Sequence, residues 1–210
     1  MVSVGLSLQA SFERAWCGCG AQSMNVSLFN ALLAAYAQAH RQYHTCQHLS
    51  ECLQRFEAVR TLAQEPAEIE LALWFHDAVY ELKRSDNEAQ SAIWLKRELA
   101  AIQAPVELIE RAVELVMATR HSGVPATRDQ QLLVDIDLSI LGAPVERFKE
   151  YEQQIRAEYA FVPNWIFRRK RRAILKAFVD RPQIYSTAYF QQAIEQQARE
   201  NLAGVLRSSE

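Results

Sequence analysis

Apolar residues recur three and four positions apart through nearly the whole chain, and nowhere do they alternate strictly for long enough to build a strand. Leu28, Leu32, Leu33 and Tyr36 form one such stripe. Leu49, Cys52, Leu53, Phe56 and Val59 form the next, after an interruption around Arg41 to Cys46. A third begins after Pro66 and carries Ile69, Ala72, Leu73 and His76 on one face, because residues three and four apart are neighbours on a helix. Six glycines and six prolines in 210 residues are too few breakers for the many turns of a sheet protein. The pattern predicts an all-α protein.

Local signals place the helix boundaries. Ser85-Asp86-Asn87-Glu88 reads as a capping box ahead of a helix through Leu99, with Ser85 facing the first free amides and Glu88 reaching back. Pro105 suits the first turn of another helix, whose stripe Val106, Ile109, Ala112, Val113 and Val116 ends in a loop near His121, Ser122 and Gly123. Thr127-Arg128-Asp129-Gln130 is a second capping box, opening a helix that Gly142 and Pro144 should end. Further helices fit residues 144–160, 164–179 and 187–205, with breaks at Val162-Pro163 and Arg181-Pro182. The length suits a single domain over residues 1–210.

A formal net charge of -2 and a pI near 6.2 leave no electrostatic footprint for general nucleic-acid or membrane binding, which favours small ligands. Met1 to Gln9 lacks a basic start and a long apolar core, and no run of about 18 apolar residues occurs. The chain therefore reads as cytoplasmic. Cys17, Cys19, Cys46 and Cys52 are too few and too irregularly spaced for a disulfide framework, and free thiols are expected.

Three departures from simple core building carry the functional reading: His48, the pair His76-Asp77, and Asp137. Leu133, Ile136, Ile140 and Leu141 surround Asp137 in helical register, which places its carboxylate inside a buried face. An unpaired buried carboxylate is costly, so it must be protonated, paired with a cation or bound to a metal ion. Two imidazoles and two carboxylates from three helices make a set suited to Mn²⁺, Fe²⁺, Mg²⁺ or Zn²⁺. Such a site can hydrolyse, because a bound cation acidifies its water and polarises a phosphoryl oxygen.

His48, then His76-Asp77, then Asp137 resembles the H, HD, D signature of the HD-domain phosphohydrolase superfamily. More narrowly, Arg41-Gln42-Tyr43-His44 with His48-Leu49, Trp74 to Tyr80, Asp86-Asn87-Glu88 and Ser91-Ala92 are similar to the predicted bacterial HD phosphohydrolases of the YHxxxH and FHDxVY type. Ile155 to Tyr159, Arg172 and Ile184-Tyr185 extend the similarity into the C-terminal region. The resemblance implies an HD-domain-like helical bundle with its metal-binding core at about residues 40–142 and C-terminal helices packed on it. It implies that His48, His76, Asp77 and Asp137 bind a divalent cation, with Asp77 able to bridge to a second. It also implies a nucleotide or other small phosphate ester as substrate. Tyr80-Glu81 stands where the alarmone-hydrolase subgroup has Glu-Asp, and the Gly-Tyr-Pro motif of the cyclic-dinucleotide subgroup does not occur, so both of those activities are disfavoured.

Other residues have two readings each. Asp77 can also start a turn after its helix, and Asp137 can pair with a buried arginine. His44 suits donation to a substrate phosphate or support of the site, and His121 suits a second metal, a substrate contact or the end of its helix. Glu81 and Glu88 are candidates for proton transfer, although a solvated surface and a capping role explain them equally. Arg41, Arg156 and Arg172 can bind phosphate through planar, paired N–H donors, or can simply be exposed arginines of amphipathic helices. Arg168 to Arg172 wraps more than one helical face and reads as a solvated helix with one inward arginine, while Glu152 reads as exposed. Two further readings are a non-catalytic metal- or nucleotide-binding regulatory module on the same bundle, and a homodimer formed through Tyr185, Tyr189 and Phe190.

Overall fold

A computed structural model describes residues 7–121 and 123–208. Ser122, in the loop expected after the Val106 stripe, lies outside the described residues, as do Met1 to Leu6. Among the described residues the secondary structure is helical, with no strand. The helices are α1 (Leu8–Gly18), α2 (Val26–Tyr36), α3 (Cys46–Val59), α4 (Pro66–Phe75), α5 (Asn87–Ala101), α6 (Val106–Ala118), α7 (Arg128–Asp137), α8 (Val145–Glu158), α9 (Asn164–Val179) and α10 (Ala188–Ser208). Short 3₁₀ turns at Arg60–Leu62 and Leu138–Gly142 extend α3 and α7. The chain falls into two compact units, Met1–Ile136 and Asp137–Glu210, the division lying in the last turn of α7.

In the first unit α4 is the central element. It begins with Pro66 at its first position, where the missing N–H has no intrahelical acceptor to lose, and every residue from Glu68 to Phe75 is buried. A helix apolar on all sides must be enclosed, and α1, α3, α5 and α6 pack around it. Each fully buried Leu, Phe or Ile here contributes about 1.5–3 kcal/mol. The two carboxylates that interrupt this surface are paired. Glu70 accepts from Ser11 Oγ at 2.6 Å and from Arg14 Nε and Nη2 at 2.9 and 2.6 Å. Glu68 is paired with Arg111. Trp74 Nε1 donates to Ser11 Oγ at 3.1 Å, so indole, hydroxyl, carboxylate and guanidinium form one satisfied buried chain.

The stripe that anchors α1, Phe12, Ala15 and Trp16 followed by Cys19, is fully helical in period and was not singled out by the sequence reading. Phe12 packs edge-on against Trp74 at 5.4 Å between ring centroids. Of the two capping boxes, the one at Thr127 forms: Thr127 Oγ1 accepts from Gln130 N at 3.2 Å, and Gln130 Oε1 accepts from Ala126 N at 2.8 Å and Thr127 N at 3.4 Å. The one at Ser85 does not. Helix α5 starts two residues later, at Asn87, and Asp86 is tied to Arg84 and Gln90 instead of to the first amides. Asp129, inside the Thr127 box, accepts from the amides of Gln64 and Glu65 at 2.9 and 2.8 Å and so pins the start of α4.

The second unit has its own buried apolar set, including Phe148, Tyr151, Ile155, Leu175, Ile184, Tyr185, Phe190 and Leu202. Gly142 is needed where α10 crosses the 3₁₀ turn, because a Cβ there would lie 2.7 Å from Ile194 Cβ and 2.8 Å from Ile194 O. Asn201 Nδ2 donates to Leu141 O and Ala143 O, both at 2.9 Å, and Tyr185 Oη donates to Leu138 O at 3.2 Å. Tyr185 and Phe190 are therefore interior residues of this unit, and of the three aromatics expected at a dimer face Tyr189 alone is exposed. Glu152 is likewise not a free surface carboxylate, since it pairs with Arg171. The basic run sends two arginines inward, not one: Arg171 to Glu152, and Arg172 Nη1 to Leu206 O at 2.6 Å.

Candidate metal centre

His48 and Cys52 occupy one face of α3, a turn apart, and both are almost fully buried. His76 is the residue at which α4 stops. Its Nδ1 lies 2.7 Å from Leu73 O, three residues back, which assigns the proton to Nδ1 and leaves a lone pair on Nε2. That Nε2 is 3.1 Å from His48 Nε2. Asp77 Oδ2 closes the triangle, 3.1 Å from His76 Nε2 and 3.5 Å from His48 Nε2. Asp137, the last residue of α7, is half-buried, less enclosed than its apolar neighbours suggested. One ligand atom each from His48, Cys52, His76 and Asp137 lie within 4.8 Å of one another.

These spacings fit a cation. Donors about 2.1 Å from one ion, in tetrahedral or octahedral arrangement, stand about 3.0–3.5 Å apart when adjacent. The chemistry fits as well: lone pairs of imidazole and carboxylate brought this close repel unless a proton or cation lies among them. Burial alone would raise the Asp77 carboxyl, but its interactions with His76, His44 and His48 outweigh it and hold the carboxyl well below the ordinary carboxylate range. Nearby Tyr36 is pushed the other way, well above the ordinary phenol value, by burial and by the charge of Asp77. Its hydroxyl donates to Trp74 O at 3.3 Å.

The segment after the pair is irregular, and its main-chain groups are satisfied by side chains. Arg41 Nη1 donates to Asp77 O at 2.6 Å and Nη2 to Ala78 O at 3.0 Å. Ser91 Oγ accepts from Val79 N at 3.0 Å, His40 Nε2 reaches Tyr80 O at 2.7 Å, and Asn87 bonds both the N and the O of Glu81 at 3.1 Å. The guanidinium of Arg41 also lies over the rings of Tyr36 and Tyr80, at 5.3 and 5.4 Å.

The arginines expected to bind phosphate are thus directed at the protein's own carbonyls. Arg41 clamps residues 77 and 78, Arg156 donates to Tyr159 O and Val162 O beyond the end of α8, and Arg172 donates to Leu206 O. His44 stands beside the centre, stacked on Tyr80 with ring centroids 4.0 Å apart and 5.9 Å from the ring of His48. Glu81 is exposed, Glu88 half-buried in the first turn of α5, and His121 adopts a left-handed backbone (φ 52°) after α6; none belongs to the converging ligand set. Cys52 does belong and was read from the sequence only as a core position, because its spacing matches the apolar stripe. The signal that identifies it is its i+4 relation to His48. None of the four cysteines is in a disulfide, as expected.

Comparison of the chain with protein-family models, with curated proteins and with solved structures finds no match. Among the described residues no helix is long and apolar enough to cross a membrane.

Proposed function

We propose that this chain is a metal-dependent phosphohydrolase of the HD-domain superfamily, acting on a nucleotide or another small phosphate ester. The observation that carries the proposal is the triangle of His48 Nε2, His76 Nε2 and Asp77 Oδ2, with sides of 3.1, 3.1 and 3.5 Å, formed by the residues on which the sequence resemblance rests. A divalent cation held there supplies a Lewis acid, which lowers the pKa of water and stabilises charge on a phosphoryl oxygen. His76 keeps its Nε2 lone pair aimed at the centre because Leu73 fixes its tautomer. Asp77 contributes negative charge, and its backbone is held by Arg41. His44, at the edge of the centre, is the side chain best placed to donate to a substrate phosphate.

The test is a screen of metal-stripped protein reloaded with Mn²⁺, Mg²⁺, Fe²⁺ or Zn²⁺ against nucleotides and phosphate esters. Metal-dependent hydrolysis of at least one is expected, together with a rise in melting temperature on metal addition, since the ion binds the folded form. No thermal shift with any of the four ions would overturn the metal centre. Metal binding without turnover across the panel would favour a regulatory binding module.

A further inference from the structure

We propose that the face of α9 carrying Trp165, Arg168, Arg169, Arg172 and Lys176 is a binding surface for single-stranded nucleic acid. The inference is independent of the metal centre. Residues 165–176 hold six basic residues and no acidic one, in a chain whose formal net charge is -2, so positive charge is concentrated on this helix. The four cations named follow Trp165 by three, four, seven and eleven positions, which puts all five side chains on one helical face.

Folding accounts for only part of the run. Arg171 is committed to Glu152, and Arg172 directs its Nη1 at Leu206 O. Arg168, Arg169 and Lys170 are exposed and have no ion pair or hydrogen bond among the described residues. Lys176 pairs with Asp180 in solvent, where a phosphate can replace the carboxylate at little cost. Trp165 is 67% exposed, and the guanidinium of Arg169 lies 5.9 Å from its ring centroid. An indole left in water between two such arginines matches the two parts of a nucleotide, a base to stack and a phosphate to neutralise. Arg168, Arg172 and Lys176 follow at intervals of four, about 6 Å apart along the axis, so consecutive phosphates of an extended strand can each meet a cation. A membrane surface fits less well. It needs one continuous apolar face, whereas the exposed Trp165 and Ile174 are about two and a half turns apart, on opposite sides of the helix.

The test is fluorescence anisotropy of fluorescein-labelled oligo(dT), about 20 nucleotides long, titrated with the full chain between about 50 and 200 mM salt. Saturable binding that weakens with salt is expected. Trp165→Ala should lower the affinity at least about fivefold, through the loss of one stacked base. Arg168→Gln and Arg169→Gln should each flatten the slope of log K against log salt by about 0.7, the share of one phosphate on a single strand. Lys170→Gln removes the same charge from a different face and should leave the slope unchanged. All four positions are exposed, so each variant should keep the wild-type circular dichroism spectrum. Should Trp165→Ala not fold, the three charge variants decide the matter. No binding at about 50 mM salt, binding indifferent to Trp165→Ala, or equal slopes for Arg168→Gln and Lys170→Gln would overturn the proposal. Tighter binding to the oligo(dA)–oligo(dT) duplex, or binding to phosphatidylserine vesicles without binding to oligo(dT), would overturn it in favour of a different partner.

Discussion

Helices α4 and α9 are opposites. In α4 eight consecutive residues are buried, whereas in the longer α9 Leu175 alone is buried and Trp165 and Ile174 stand exposed. An enclosed helix cannot leave a polar group unanswered, so Glu68, Glu70 and the His76 that ends α4 each have assigned partners. On α9 polar groups can be left to solvent, and the helix is held by a few anchors such as Arg171 on Glu152. A charged residue therefore carries information in the first setting and little in the second.

The sharpest way to break this contrast is at Arg14, which partners Glu70 from α1. Arg14→Ala leaves a fully buried carboxylate without its cation and should cost about 3–5 kcal/mol in urea unfolding, with most of it recovered in Arg14→Met/Glu70→Leu. A loss below about 1 kcal/mol would mean that enclosure does not impose the pairing. Next is Asp77→Asn, which keeps the volume and removes the charge. Activity in the assay found by the screen should fall at least about 100-fold while the circular dichroism spectrum is unchanged. The exposed Glu13→Gln is the control, since Glu152 is committed to Arg171. Near wild-type turnover of Asp77→Asn with metal bound would remove the hydrolase reading.

In the second unit, Gly142→Ala drives a methyl into Ile194 and should lower stability by about 1–3 kcal/mol, measured by thermal denaturation. An unchanged melting temperature would show that α10 can shift to make room. The smallest effect belongs to α9: Lys170→Gln, on an exposed position, should stay within about 0.5 kcal/mol of wild type. A larger loss would place an unrecognised anchor on that helix.

The same contrast explains what the sequence could disclose. Periodicity together with caps and breaks located nine of the ten helices among the described residues, and missed α1 although Phe12, Ala15 and Trp16 carry the same spacing. The histidine pair and Asp77 stood out because polar side chains interrupt apolar runs. Cys52 did not, since a thiol is indistinguishable by hydropathy from the leucines beside it. Ser85 was misread for a different reason: a capping box is a local statement, and the Arg84–Asp86 pair together with the Asn87 bonds to Glu81 start the helix later. Roles that depend on distant backbone, such as Arg41 on Asp77 O or Tyr185 on Leu138 O, have no signature in spacing at all.

The support of residues 77–81 by Arg41, His40, Ser91 and Asn87 inverts the usual tolerance of a protein to changes in length. Connections between helices ordinarily accept inserted residues, because few bonds depend on their path. Here residues 37–45 act as a template for residues 76–86, with the carbonyls of Asp77, Ala78 and Tyr80 received by the side chains of Arg41 and His40. In a linker-insertion library read by metal-induced thermal shift, these two stretches should reject single-residue insertions as strongly as α4 does.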